Sequence, residues 1–216
     1  AQAVNGGFRG TPTVQTNATV TAGGDTSTLV TINSDRAIIN WEPDATAAGE
    51  IDFLPTGAVA NFVNNSDRNG ADYVVLNRIL PVGADAAKQV AFNGLVTSTL
   101  GTTAGQPEGG SIWFYSPNGI IVGASGTFNV GSLLLSTSDV GNEDFLDGDN
   151  DFTFQPSAAG ASIEIRPDDG EVDAQIRALG SNSYVALISP RIRQSGDVRV
   201  NGSANYIAAE EVDITI

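Results

Sequence analysis

Short apolar runs recur along the whole chain, and residues that favour turns separate them. Typical runs are residues 29–32 (LVTI), 73–76 (YVVL), 112–115 (IWFY), 133–135 (LLL) and 184–188 (YVALI). Turn dipeptides such as Asn118-Gly119 and Asn201-Gly202 lie between runs. Long stretches with apolar residues at helical spacing are missing from the sequence. The pattern predicts a nearly all-β chain.

Some of these runs repeat at a spacing of about 22 residues. Residues 180–185 (GSNSYV) return 22 positions later as residues 202–207 (GSANYI). The same spacing joins Ile163 to Val185, and it also joins Val90, Ile112 and Leu134. Such a repeat is typical of one coil of a parallel β-helix, and stacking at the strand spacing would give roughly ten coils over about 50 Å. A β-sandwich with accidental spacings is the alternative.

The sequence predicts a single domain with two special segments. Residues 1–35 are rich in Gly, Thr and Asn and keep the period poorly, so we expect N-terminal strands that cap the helix. Residues 36–216 are predicted to form the helix itself, with the acidic stretch 141–151 (GNEDFLDGDND) inserted as a loop. Because residues 211–216 alternate like a strand without a cap, we expect the chain to be part of a longer exported protein.

Composition narrows the possible functions. The net charge is -15 and the pI is near 4.1, so nucleic acid is not expected as a partner. The absence of Cys and His excludes thiol nucleophiles, thiolate or imidazole metal sites and Ser-His-Asp triads. Residues 1–3 (AQA) look like the end of a signal-peptide cleavage site, which predicts an exported product. No apolar window is long enough for a transmembrane helix.

Four ordered segments carry a resemblance to a known family. They are residues 37–41 (AIINW), 74–79 (VVLNRI), 116–123 (SPNGIIVG) and 128–137 (FNVGSLLLST). In this order they resemble the amino-terminal secretion domain of two-partner secretion exoproteins, the filamentous haemagglutinin family. The similarity extends over about residues 28–216. The family's Asn-Pro-Asn-Gly hallmark matches Ser116, Pro117, Asn118 and Gly119 at three of four positions, and its companion Asn-Pro-Asn-Leu motif is not found.

The resemblance implies both a fold and a function. The fold would be a right-handed parallel β-helix. The function would be to direct a large surface protein or adhesin to an outer-membrane transporter, whose periplasmic POTRA domains capture the chain. The product would reach the surface of a Gram-negative bacterium through the periplasm. We expect a monomer without a cofactor or an enzymatic activity.

The motif residues have a structural interpretation beside the functional one. Proline fixes φ, and asparagine and glycine tolerate positive φ, so residues 117–119 predict a sharp corner between two strands. This corner either only turns the chain or also contacts the transporter. Asn77 and Arg78 belong to the second segment, and an asparagine inside a β-helix commonly satisfies backbone amides. Both interpretations stay open for these six residues.

Acidic clusters leave two rival functions open. The first cluster contains Glu143, Asp144, Asp147, Asp149 and Asp151, and the second is residues 168–171 (DDGE). Paired carboxylates on a β-helix would suit a polysaccharide-degrading enzyme, and an exposed rod would suit a glycan-binding adhesin. Asp147, Asp149 and Asp151 are weak calcium candidates, because the run lacks the ordered Asp-x-Asp-x-Asp-Gly and the distant Glu of a calcium hand. A solvated loop is the other interpretation.

Overall fold

The computed structural model describes residues 4–104, 108–167, 174–209 and 212–215. The described chain is almost entirely β-strand, with one short α-helix and two 3-10 turns at Ser66–Arg68 and Gly83–Asp85. In chain order the elements are β1 (Val4–Asn5), β2 (Arg9–Thr16), β3 (Ala18–Ala22), β4 (Ser27–Ile32), β5 (Arg36–Pro43), β6 (Ile51–Leu54), β7 (Val59–Asn64), β8 (Val74–Ile79), β9 (Val90–Phe92), β10 (Leu95–Ser98), β11 (Ser111–Tyr115), β12 (Gly119–Val122), β13 (Thr127–Val130), β14 (Ser132–Ser136), α1 (Asn142–Leu146), β15 (Asp151–Phe154), β16 (Ser162–Ile165), β17 (Gln175–Ile188), β18 (Arg191–Gln194), β19 (Asp197–Ile207) and β20 (Val212–Thr215).

Successive strands wind around a common axis and form three faces. The first face contains β4, β7, β10, β13 and the start of β17, and the second contains β5, β8, β11, β14 and the end of β17. The third face is a separate sheet in the order β18-β16-β12-β9-β6. β19 adds one more strand to the first two faces through its pairing with β17. All these neighbours are parallel, which confirms the predicted parallel β-helix.

The coils are longer and fewer than the sequence repeat predicts. Each coil crosses the three faces once, so the described residues make five coils and the two strand segments of a sixth. Leu95 pairs with Thr127, 32 residues further on, and Leu133 pairs with Val185, 52 residues further on. The predicted 22-residue spacing holds between Gln175 and Asp197. Long corners and one insertion use up the chain, so the stack has about half of the ten coils expected.

The repeated hexapeptides are also paired in a different register. Gly202 lies beside Ser183, 19 residues before it, and not beside Gly180. Ile163 lies on the third face, where its partners are Ile120 and Ile192, whereas Val185 lies on the second face. Sequence similarity between turns does not fix the register, because β17 contains additional residues between its two paired halves.

The inner core is formed by alternate side chains of all three faces. β4 shows this alternation clearly, since Val30 and Ile32 point inward and their neighbours are half-exposed. Large aromatic side chains fill the core of the first coils, where Phe92 and Phe114 pack with ring centroids 4.8 Å apart. Burial of this apolar surface is the main stabilising contribution to the fold.

The N-terminal strands close the first coil, as the sequence predicts. β2 runs antiparallel to β5, and β3 runs antiparallel to β4, so the outer edges of both strands are paired. Phe8 enters the core between these strands and stacks on Phe53, with ring centroids 4.7 Å apart. The antiparallel part ends at Ala22, because residues 27–32 already pair in parallel with β7. Residues 1–3, the candidate cleavage site, lie outside the described residues.

An insertion between β14 and β16 covers the outside of the second face. We call residues 137–161 the strap; it contains α1 and β15. The predicted acidic loop lies within it, and its charged side chains are mostly exposed. The strap is more than a solvated loop, because Phe145, Phe152 and Phe154 are buried against Trp113. A second apolar cluster therefore lies outside the helix, on the opposite side of the second face from the inner core.

Within the described residues, no helix combines the length and the apolar character that crossing a membrane requires.

Replacing Phe8 with alanine is expected to lower the free energy of unfolding by about 3–5 kcal/mol, because it leaves a cavity at the capped end of the core. Denaturant unfolding measures the change. Val14→Ala is the matched control in the same cap, since Val14 is 38% exposed, and its effect should stay within about 0.5 kcal/mol. Equal effects of the two substitutions would show that Phe8 does not anchor the cap.

Candidate functional site

Residues 116–119 form a corner between the second and third faces. Pro117 and Asn118 make the turn after β11, and Gly119 begins β12. The Ser116 backbone N–H donates to the Ser136 carbonyl oxygen at 3.1 Å, and the Asn118 side-chain amide donates to the Ala86 carbonyl oxygen. The predicted corner is confirmed, and it is bonded to the coils on both sides.

Gly119 is required at this corner by its backbone and by its neighbours. Its φ is +133°, a conformation that side chains with a Cβ rarely adopt. A Cβ at this position would lie 2.4 Å from the Ser162 carbonyl oxygen and 2.7 Å from the Gln89 side-chain nitrogen. The Gln89 amide donates to the Ser162 hydroxyl at 2.8 Å across the same corner. Three successive coils therefore meet here with no space for a side chain.

A polar trough of about 440 Å³ runs beside the corner. Charged side chains near it are paired: Glu50 with Arg166 at 2.9 Å, and Asp85 with Lys88 at 2.6 Å. A backbone hydrogen bond, then that of Arg166, lowers the pKa of Glu50, and the Lys88 ammonium and the Thr46 N–H lower that of Asp85. These carboxylates are ionised partners of cations, which is a structural arrangement.

The six candidate residues differ in their exposure. Pro117 and Asn118 are half-buried, and Ser116 and Gly119 are buried. The Ser116 hydroxyl finds no hydrogen-bond partner among the described residues. Asn77 is 0% exposed and Arg78 is 7% exposed. In the folded chain, only the tip of the corner is accessible to a partner.

Asn77 occupies an inner position of the core. It lies between Ile39 and Phe114 of the adjacent strands. Its carbonyl oxygen accepts a hydrogen bond from the Trp41 indole at 3.1 Å, and its amide donates to the Trp113 carbonyl oxygen at 3.2 Å. A buried polar side chain is tolerated here because both of its ends are paired. Asn77 thus links three successive coils from inside.

Arg78 points outward from β8 and lies beneath the strap. Its guanidinium donates to the Asp139 carboxylate at 2.8 Å and to the Val140 carbonyl oxygen at 2.6 Å. Asn77 and Arg78 are adjacent in sequence, so they lie on opposite sides of the second face. The structure does not bring them to the Ser116–Gly119 corner as one site.

The calcium candidates bond to their own backbone. Asp147 accepts from the Asp149 N–H at 3.0 Å, Asp149 accepts from the Asp151 N–H at 2.9 Å, and Asp151 accepts from the Thr215 hydroxyl. Such bonds stabilise a loop without an ion. Throughout the described ranges, no three carboxylates are grouped so that they could hold a metal. The second acidic cluster, residues 168–171, lies outside the described residues.

Two features that the sequence analysis missed shape the outer surface. Arg36 binds the strap, and no sequence signal identifies its partners, which are more than 100 residues away. Trp113 donates to the Tyr184 hydroxyl at 2.7 Å at the edge of a groove of about 340 Å³. Burial raises the pKa of the Tyr184 hydroxyl to about 12. Tyr184 therefore stays protonated at physiological pH and acts here as a structural hydrogen-bond partner.

Replacing Asn77 with alanine is expected to cost about 1–3 kcal/mol of stability, because it leaves the buried Trp41 N–H without an acceptor. Thermal or denaturant unfolding measures this cost. Asn205→Ala provides the control, since Asn205 is exposed. If the alanine variant at position 77 is as stable as the parent, the polar link between coils does not matter for folding.

Replacing Gly119 with alanine is expected to destabilise the domain by about 1–3 kcal/mol through backbone strain and the contact with the Ser162 carbonyl. Gly160→Ala tests the specificity of the effect, because a Cβ at Gly160 meets no atom within 4 Å. Unfolding midpoints of the two variants give the comparison. A neutral Gly119 variant would mean that the corner can relax.

No protein-family model and no curated protein matches this chain. Among solved structures, the chain is similar to the crystal structure of the HMW1 secretion domain from Haemophilus influenzae, with 20% sequence identity and a TM-score of 0.50. The similarity covers 87% of this chain and 45% of that chain, so this chain spans less than half of the solved domain. The two proteins share a fold. The predicted β-helix of a secretion domain is therefore confirmed at the level of the backbone.

Proposed function

We propose that this chain is the secretion-targeting domain of a large exported surface protein or adhesin. Periplasmic POTRA domains of an outer-membrane two-partner transporter recognise it, and it nucleates β-helix folding outside the cell. The observation that carries the proposal is the fold shared with a secretion domain over 87% of this chain. The four ordered sequence motifs and the capped first coil support the same role.

The composition suits passage through a barrel in an extended state. Without cysteine, the chain cannot form a disulfide that would block threading in the oxidising periplasm. The net charge of -15 opposes aggregation while the chain is unfolded. Both properties are permissive, and they separate the proposal from folds that need a disulfide before export.

Burial of the motif residues supports recognition before folding. Asn77 is enclosed by two tryptophan-bearing strands, and Arg78 is covered by the strap. In an extended chain both side chains are accessible, and the backbone can add as a strand to an exposed sheet edge of the transporter. The half-buried Asn118 then serves chiefly the folded state, in which it bonds to the neighbouring coil.

Folding outside the cell then proceeds from the capped end. The cap and first coil contain Phe8, Trp41 and Phe53, whose rings pack within 6 Å of each other. This cluster needs only the first part of the chain, so it can form while later residues are still in transit. Each finished coil presents a strand edge on which the next coil pairs.

The experiment is an export assay with the transporter encoded beside this chain. We expect the chain in the medium when both proteins are produced, and cell-associated chain when the transporter is omitted. The double variant Asn118→Val/Gly119→Val should lower the secreted fraction several-fold, because the third coil cannot close against Ser162. Gly160→Val is the matched control and should be secreted normally. Secretion that is independent of the transporter would contradict the proposal.

A binding measurement separates recognition from folding. The isolated POTRA domains are immobilised, and the chain is applied either freshly diluted from urea or already folded. Binding of the diluted chain alone supports recognition before folding. Exclusive binding of the folded chain, weakened by substitution of Asn118, would move the contact to the corner. Release of reducing ends from acidic glycans, or adhesion of the purified domain to cells, would favour the enzyme or the adhesin.

A further inference from the structure

The strap joins parts of the molecule that are far apart along the chain. It leaves the helix after β14, in the fourth coil, and returns across the outside of the coils that precede it. The outer side chains of the second face form a column in which Ile38, Leu76, Trp113 and Leu134 come from the first four coils and pair in register. Phe145, Phe152 and Phe154 of the strap bury this column.

Arg36 holds the strap on the first coil. Its guanidinium donates to the Phe145 carbonyl oxygen at 2.6 Å and to the Asn150 side chain at 3.2 Å, and it also contacts the Asp149 carbonyl. The same group lies 5.0 Å from the centre of the Phe152 ring. Two backbone carbonyls and an aromatic ring are thus satisfied by one cation.

The far end of the chain completes the strap. β15 pairs antiparallel with β20, so that Phe152 lies beside Ile214 and Phe154 lies beside Val212. β15 belongs to neither of the sheets that form the helix, and β20 is its partner strand. A strap without β20 lacks this backbone pairing, so its docking requires residues from the end of the described chain.

The contacts of the strap are much less local than those of the coils. Arg36 and the Phe145 carbonyl are 109 residues apart, whereas Leu95 and Thr127 of successive coils are 32 apart. Loop closure costs entropy that grows with the separation, and the rate of contact formation falls with it. Coils that already stack bring Arg36 close to the strap and remove most of this cost.

We propose that the strap docks last, as a separate step after the coils have stacked, and that Arg36 is the catch that holds it closed. Until it docks, the outer column of Ile38, Leu76, Trp113 and Leu134 is exposed on a helix whose inner core is complete. The proposal concerns the folding of this chain by itself. It does not depend on the export role, and it is tested on the purified protein.

The two tryptophans report separately on the two steps. The chain contains two Trp residues. Trp41 belongs to the inner core, with its ring centre 5.0 Å from that of Phe8. Trp113 lies under the strap, with its ring centre 4.8 Å from that of Phe152. In Trp113→Phe the fluorescence follows coil stacking, and in Trp41→Phe it follows closure of the strap.

The experiment is stopped-flow refolding of both single-tryptophan variants. Refolding starts from briefly unfolded protein, so that prolyl bonds keep their native isomers. We expect the Trp113 signal to change at least about threefold more slowly than the Trp41 signal. Equal rates for the two probes, or a faster change at Trp113, would overturn the proposal.

Arg36→Met tests the catch, because it keeps the apolar stem and removes the guanidinium. We expect the Trp113 phase to slow about fivefold or to lose its amplitude, while the Trp41 phase is unchanged. Arg199→Met is the matched control, since Arg199 is exposed and pairs with Asp197 within the same strand. If Arg36→Met slows both phases equally, Arg36 acts in coil stacking and the assigned role is wrong.

Pulsed hydrogen exchange gives the same order without replacing a tryptophan. Trp41→Phe removes the donor to Asn77 and lowers stability, so the unmodified chain is needed as an independent measurement. Amides of β8 and β11 should gain protection before those of β15 and β20. Simultaneous protection of all four strands would refute the separate closing step.

Discussion

Parallel pairing of each coil with the next is the constraint on which the rest of the structure depends. Parallel strands hydrogen-bond in register, so side chains at equivalent positions lie on top of one another in columns. The inner column around Asn77 runs from Ile39 to Phe114, and the outer column runs from Ile38 to Trp113. Any residue placed in one coil must therefore suit its neighbours in the coils above and below. Asn77 satisfies this condition because the Trp41 indole and the Trp113 carbonyl complete its hydrogen bonds.

The corners carry the irregularity that the columns do not allow. Coils range from the 21-residue step between Ile112 and Leu133 to the 52-residue step between Leu133 and Val185 without disturbing the pairing. Extra residues leave the stack at corners, where backbone groups are solvated or bonded locally. The Gly119 corner is the opposite case, since three coils converge there and the chain has no freedom to add a side chain. Length varies freely at one corner and is fixed at another because their contacts differ.

The strap gives the second face two apolar layers. The inner layer is continuous with the core of the helix, and the outer layer packs beneath Phe145, Phe152 and Phe154. Residues 133–135 (LLL) serve both layers, because adjacent residues of a strand point to opposite sides. Continuous apolar runs on this face thus have a physical reason. Arg36 and Arg78, which border the outer layer, supply the polar bonds that fix the strap in place.

The sequence by itself determined the strand content, the parallel helix, the N-terminal cap and the corner at Pro117–Gly119, because alternation, turn residues and motif order are local signals. It also located the acidic insertion. The tertiary structure decided the coil lengths and the register, since Gly202 pairs with Ser183 and not with the similar Gly180. It also decided that Asn77 and Arg78 lie on opposite sides of one strand and that Arg36 meets Phe145. Those contacts join residues tens to more than 100 positions apart, and no local pattern encodes which distant coil a side chain will face.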